Sequence, residues 1–388
     1  MARQDTEAIH GGRAKGHGPL VTPVYLASTW RLESARQGAE FSAATAPPAF
    51  YTRWGNPTTR DLEGALARLE GGRAAIATGS GMGAISSALL SAVKAGDHIV
   101  AGRSLYSATT EVLARFLPRF GIRTTFVDPR VPGAWEEAVR EETRVVYTET
   151  PANPTMMITD LCEAAKAARS VEAVTMCDST FATPVNQRPI EQGVDVVLHS
   201  ATKYLGGHSD LVAGAMIAKD RRWFNRLWYT TKLLGPTLGP MEAFLVRRGL
   251  KTLGVRVRQH NRSAQALAEY LEDHRKVRQV YYPGLTSFDQ HRLARRQMDG
   301  FGGMLSFSLR GGRRACVRFV ESVKVATLAV SLGGAETLVQ HPASMTHGPL
   351  TARERTASSI QEDLIRVSVG LEDIEDLRED FAAALRRT

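Results

Sequence analysis

Apolar residues between positions 60 and 200 recur in two alternating patterns. Asp61-Leu-Glu-Gly-Ala-Leu-Ala-Arg-Leu-Glu70 has helical apolar spacing, whereas Ala74-Ala-Ile-Ala-Thr78 is a short apolar run. Runs of the second kind return at 98–101, 124–127, 145–148, 171–177 and 194–199. Helical stretches at 84–93, 106–119, 134–141 and 160–169 lie between them. Strand–helix alternation predicts a mostly parallel sheet with helices on both faces. Ligands of such sheets sit at the carboxyl ends of the strands, so chemistry is sought there. The pattern turns helical through 220–250 and again over 255–274. Beyond, 303–309 alternates as a strand, 312–323 reads as a helix, 365–369 as a strand and 373–387 as a terminal helix. Residues 1–50 have little periodicity and carry Pro19, Pro23, Pro47 and Pro48, which predicts an extended arm tied down by other structure, an oligomer partner being one candidate. The expected organisation is an arm at 1–55, an α/β large domain at 56–250 with a mostly parallel sheet, and a smaller α/β C-terminal domain at 251–388.

Composition narrows the class. Hydrophobic residues make up 43% of the 388 positions and charged residues 23%, which excludes disordered, collagenous and low-complexity chains. No apolar run approaches the roughly 18–20 residues that span a bilayer. The first residues are polar and glycine-rich with no apolar signal core, and only Cys162, Cys177 and Cys316 are present, too few for a disulfide framework. These features predict a soluble cytoplasmic protein with no membrane contact. The net charge is +9, but no block of five or six consecutive basic residues appears, so no nucleic-acid partner is expected. His341 and His347 are too loosely spaced for a metal site, and none is assigned.

Three segments bear candidate chemistry. Gly79-Ser-Gly-Met-Gly-Ala-Ile85 follows a strand and opens a helix, so its free N–H groups could hold a phosphate; a tight turn with no ligand is the plainer alternative. Its spacing fits neither a Rossmann nor a Walker loop. Val174-Thr-Met-Cys-Asp178 ends an apolar strand in a carboxylate, which could equally cap a turn. Val196-Val-Leu-His-Ser200-Ala-Thr202-Lys203 ends the next strand in hydroxyls and a lysine. A lysine desolvated there would be a nucleophilic amine; in an open loop it would be a surface cation. Asp178 and Lys203 together are the stronger signal, because a strand-end carboxylate and a strand-end lysine fit a pyridoxal phosphate site. The lysine would form a Schiff base, and the carboxylate would keep the pyridine nitrogen protonated. Arg366, alone in an apolar strand, needs a ligand carboxylate or a structural Asp or Glu.

At these residues the sequence resembles the Cys/Met-metabolism pyridoxal-phosphate enzymes. The likeness runs through Tyr51-Thr-Arg-Trp-Gly-Asn-Pro-Thr58, Ser80-Gly-Met-Gly-Ala-Ile85, Glu149-Thr-Pro-Ala-Asn-Pro154, His199-Ser-Ala-Thr-Lys-Tyr204, Ser331-Leu-Gly-Gly334 and His341-Pro-Ala-Ser-Met-Thr-His347. The resemblance implies the fold type I, aspartate aminotransferase-like architecture and pyridoxal 5'-phosphate as cofactor. It implies that Lys203 binds the cofactor covalently and moves protons, and that Asp178 pairs with the pyridine nitrogen. Gly81 and Met82 N–H groups with Ser200 and Thr202 would hold the phosphate, joined by Tyr51 and Arg53 from a neighbouring subunit. That arrangement implies catalytic dimers paired into a homotetramer. Tyr106 would stack on the ring and protonate the leaving group, and Asn153 would lie near the cofactor's phenolic oxygen or the substrate carboxylate. Ser331 and Arg366 would bind that carboxylate. Cystathionine-handling members commonly carry Glu where this chain has Val330, which suits an uncharged γ substituent. Segments 328–332 and 340–347 are most similar to methionine γ-lyases, while Ala108 and Leu233 depart from them. The implied activity is γ-elimination from an L-amino acid with an uncharged γ leaving group, with γ-replacement as the alternative.

Overall fold

The computed structural model describes residues 3–12, 16–346, 348 and 360–388. Seven strands build the larger sheet: β1 (Ala74–Thr78), β2 (His98–Gly102), β3 (Arg123–Val127), β4 (Thr143–Glu149), β5 (Val174–Asp178), β6 (Val196–His199) and β7 (Gly214–Ala218). Their order is β1-β7-β6-β5-β4-β2-β3. Strands β2 to β6 pair in parallel, and only β7 runs against its neighbours. The mostly parallel α/β sheet read from the pattern is therefore present. Residues such as Val145, Val146, Val196 and Val197 are fully buried, as expected for strands covered on both faces.

Five further strands form the second sheet: β8 (Val277–Tyr281), β9 (Met304–Leu309), β10 (Thr327–Leu328), β11 (Leu338–Gln340) and β12 (Leu364–Ser368), in the order β10-β11-β12-β9-β8. Only β10 and β11 pair in parallel. Helices Gly312–Val320 and Ile374–Arg386 pack on this sheet through Phe319 and Phe381, whose rings meet Phe307 or each other at 5.2–6.4 Å. Burying each such ring stabilises the fold by about 2–3 kcal/mol. Helix Leu253–Glu272 turns its Ala264, Leu267, Ala268 and Leu271 into the same core.

Four departures from the sequence pattern have local causes. The arm contains two short helices, Gln4–His10 and Ala35–Ala43. The first buries only Ala8 and is fastened by Arg247, which donates to the carbonyls of Ala8, Ile9 and Gly11. One buried residue leaves no period to read. The stretch 106–119 is not one helix: it runs from Ser107–Glu111 into a π-helical turn and then a 3-10 turn, Leu117–Phe120. Pro118 supplies no N–H for an α-turn there. The 220–250 stretch is two helices, Arg221–Leu234 and Pro240–Leu250, parted by Gly235 in the left-handed region at φ 79°. Strand β5 starts at Val174, after Glu172 turns at φ 55°.

No helix among the described residues is long and apolar enough to cross a membrane.

Candidate active site

Strands β1, β4, β5 and β6 deliver their carboxyl ends to one cavity of about 360 Å³. After β1 the chain turns into helix Gly81–Ala92, whose N-cap Ser80 accepts from the Gly83 N–H. The N–H groups of the first turn are thereby aimed at the cavity with the positive end of the helix dipole behind them. Gly81 is required by closeness: a Cβ there would come within 2.9 Å of the Ser200 Cβ. Ser200 follows β6, and its N–H is held by the Thr180 hydroxyl at 2.8 Å. The Thr202 hydroxyl is engaged with Ala213, donating to its carbonyl and accepting from its N–H. Ser200 is consequently the readier of the two hydroxyl donors for an incoming anion.

Asp178 ends β5 buried among the lining residues, and its Oδ1 accepts from the Thr180 N–H at 3.0 Å and the Thr180 hydroxyl at 2.6 Å. Burial raises its pKa above the ordinary value, and the Thr180 bonds and the nearby His199 oppose that rise. Glu149 is its register partner on β4, so the two carboxyls leave adjacent strand ends together. Burial, and then the charge of Asp178, push Glu149 up to about 8. Its two oxygens accept from the N–H groups of Tyr106 at 2.8 Å and Asn153 at 3.0 Å.

The second sheet closes the cavity from the other side. The Lys203 amine donates to the Ser331 hydroxyl at 2.6 Å. Burial, and then the Arg366 charge, lower it to about 8, so about a tenth of it is unprotonated at neutral pH, far more than of an ordinary lysine. Ser331 sits in the left-handed region at φ 81°, a strained conformation for a residue with a side chain. Arg366, on β12 and 4% exposed, donates to the Ser331 carbonyl at 2.6 Å and the Asn153 side-chain oxygen at 3.1 Å. Gln340, its register partner on β11, presents its amide oxygen to the same guanidinium at 3.1–3.2 Å. All three acceptors are neutral, and among the described residues no carboxylate pairs with Arg366. Burial without a counter-charge lowers its guanidinium to about 10. An anion is what the site lacks.

Of the residues singled out in the sequence, Gly81, Met82, Tyr106, Asn153, Asp178, Ser200, Thr202, Lys203, Val330, Ser331 and Arg366 line this one cavity. Tyr51 and Arg53 do not. They lie on an exposed turn, where Arg53 sits 5.5 Å over the Tyr51 ring and donates to the Lys232 carbonyl. The His341 ring is bonded to the Ser344 hydroxyl and the Glu362 carbonyl, and His347 lies outside the described residues. Glu149, Thr180 and Gln340 carried no role in the sequence reading. Glu149 alone had a usable signal, since it ends β4 as Asp178 ends β5.

Pyridoxal 5'-phosphate fits these residues on a structural ground. The cavity holds a depressed lysine, an Asp178 Oδ2 left over beside the Thr180-bonded Oδ1, and an N-terminal helix cradle that a single Cβ at position 81 would obstruct. With the parallel sheet, this places the chain among the fold type I pyridoxal-phosphate enzymes. The comparisons narrow the class. The chain belongs to the Cys/Met metabolism PLP-dependent enzyme family, whose model matches residues 5–386. It is 47% identical over 385 residues to an L-methionine gamma-lyase of Treponema denticola, covering 98% of this chain and 96% of that one. An L-methionine gamma-lyase of Porphyromonas gingivalis is 47% identical over 383 residues, with the same coverage. Among solved structures, a cystathionine gamma synthase from Xanthomonas oryzae pv. oryzae superposes with a TM-score of 0.94 at 40% identity, covering 100% of this chain and 98% of that one. The protein is a PLP-dependent enzyme.

Proposed function

We propose that the chain removes an uncharged γ substituent from an L-amino acid, as a methionine γ-lyase does, releasing a 2-oxo acid and ammonia. With L-methionine and water, the products would be 2-oxobutyrate, ammonia and methanethiol. The observation that carries the reading is the division of the cavity wall. Among the described residues its charged ones are Glu149, Asp178, Lys203 and Arg366, while Phe181, Val212, Val330 and Leu332 make the rest largely apolar. The four charges are accounted for at the cofactor, the substrate carboxylate and the loop ends. Among the described residues none remains to greet a distal ammonium. The L-methionine gamma-lyases at 47% identity support the same reading.

When bound, the cofactor supplies a ring that takes up the negative charge left as a proton leaves Cα. Asp178 would hold its pyridine nitrogen. The Gly81 and Met82 N–H groups and the Ser200 and Thr202 hydroxyls would hold its phosphate. Lys203 would anchor the cofactor and, with its amine near 8, take and return protons at the substrate carbon atoms. Arg366 and Ser331, steadied by Asn153, would fix the substrate carboxylate. Tyr106, 42% exposed at the mouth, would donate the proton to the departing γ group. Tyr51 and Arg53 would complete the phosphate site of a neighbouring subunit, which supports catalytic dimers paired into a homotetramer. The exposed side chains of Leu20, Leu26, Leu233 and Leu234 are apolar surface for such contacts. The arm at 1–55, large domain at 56–250, small domain at 251–388 and a cytoplasmic setting belong to the same proposal.

The competing reading is γ-replacement, which the likeness to a cystathionine gamma synthase favours. Purified holoenzyme is incubated separately with L-methionine, L-cystathionine and O-acetyl-L-homoserine, and 2-oxobutyrate is measured. Release from L-methionine without added thiol is the expected result. No release until a thiol is supplied, with a new amino acid formed instead, would assign the chain to replacement.

A further inference from the structure

Among the described residues, Glu149 is the one charged residue of the cavity to which the proposed function gives no task at the cofactor or the substrate. It ends β4, it is 6% exposed, and its two oxygens accept one hydrogen bond each from different loops. Oε2 takes the N–H of Tyr106, which stands where the loop after β2 enters its helix. Oε1 takes the N–H of Asn153, in the loop after β4 itself. Asn153 in turn accepts from Arg366, and the neighbouring Pro154 carbonyl accepts from the buried Ser306 hydroxyl of the second sheet at 2.7 Å. One carboxyl therefore joins the base of the Tyr106 ring to the loop that steadies Arg366.

From this geometry we infer that Glu149 is a positioning residue, a tie that fixes Tyr106 and Asn153 at one spacing through their backbone N–H groups. The inference rests on the functional reading above for the tasks of Tyr106 and Asn153, but the tie itself is a matter of hydrogen bonds. Only a carboxyl of this length has two acceptor oxygens and reaches both groups. A glutamine keeps one acceptor and turns an NH2 group toward the second N–H, so one loop loses its partner. An aspartate keeps the carboxyl but is one methylene short. The loops have a separate, weaker link between the Ser104 and Thr155 hydroxyls at 3.3 Å, so neither substitution removes every contact between them.

The experiment compares Glu149→Gln and Glu149→Asp with the parent holoenzyme. Leaving one buried loop N–H without its partner should lower kcat by about 10- to 100-fold in both variants, with KM changed less than about threefold. Hydrogen exchange read by mass spectrometry should quicken in peptides covering 103–109 or 150–155 and stay unchanged elsewhere. The visible circular dichroism of the bound cofactor should change, because the ring stacked on it has moved. In a Tyr106→Phe background, Glu149→Gln should cost clearly less than in the parent, as two changes acting through one group are not additive. Activity close to the parent in Glu149→Asp but not in Glu149→Gln would overturn the tie in favour of a role for the acid group itself. Additive losses, or exchange that quickens across the whole chain, would overturn it in favour of general stability. If Tyr106→Phe has full activity, the functional reading of Tyr106 fails, while exchange at the two peptides still decides whether the tie exists.

Discussion

Removing the guanidinium of Arg366 tests the carboxylate site most directly. Arg366 is buried, carries a charge, and among the described residues meets only the neutral oxygens of Ser331, Asn153 and Gln340. A buried ion pair that loses one partner costs about 3–5 kcal/mol, because the remaining charge is stranded. Arg366→Ala should therefore lower kcat/KM for L-methionine by roughly 150- to 5,000-fold. Arg366→Lys keeps a cation but not the planar fork, so it loses about 1.5–3 kcal/mol, roughly 10- to 150-fold. The assay is 2-oxobutyrate release at steady state, with thermal melting to check that the variants are folded. A second arm uses 3-(methylthio)propylamine, which has the thioether and the amine but no carboxylate. Its inhibition constant should be nearly the same for parent and Arg366→Ala, since the deleted group had nothing of the amine to hold. Equal weakening of methionine and amine would show that Arg366 shapes the cavity and does not bind the carboxylate. A change in methionine kcat/KM of less than threefold would refute the reasoning from the missing counter-charge.

The depressed Lys203 amine gives two pH signatures in the cofactor-free protein. Reloading with pyridoxal phosphate, followed by visible absorbance, should speed up about tenfold per pH unit and level off near pH 8, because only the neutral amine attacks an aldehyde. The folded value of about 8 lies below the ordinary 10.5, so between them the folded chain binds fewer protons than the unfolded one and stability rises with pH. Urea unfolding of Lys203→Met at pH 8 and pH 10 should show that contribution gone. Gly81→Ala places a Cβ within 2.9 Å of the Ser200 Cβ; equilibrium dialysis should show pyridoxal phosphate bound at least tenfold more weakly, and unchanged affinity would remove Gly81 from the cradle. Val330→Glu should shift the kcat/KM ratio from L-methionine toward L-cystathionine. Val330 is 56% exposed, so water screens the new charge and the shift should be roughly two- to fivefold, not orders of magnitude.

The residues that were legible in the sequence and those that were not differ in how they act. Asp178, Ser200, Thr202 and Lys203 act through side chains at strand ends, where an apolar run stops at a polar letter, and β5 and β6 put them where the run ended. Arg366 was legible because a lone charge within an apolar strand demands an anion, and β12 buries it with neutral acceptors only among the described residues. Glu149 acts on N–H groups, which every residue but proline has, so nothing at positions 106 or 153 announces the bond. Gln340 became meaningful only through its register against Arg366, and β11, three residues long, leaves little pattern from which to derive that pairing. Strand β8 escaped for a similar reason: a register shift between Val277 and Gln279 spoils the alternation. Thr202 shows the converse, since its letter promised a free hydroxyl and the fold had already engaged it with Ala213. A phosphate recruiting Thr202 must share or replace that bond, whereas Ser200 can donate at once. Replacing Ser200 with alanine should accordingly weaken cofactor binding more than replacing Thr202 with valine.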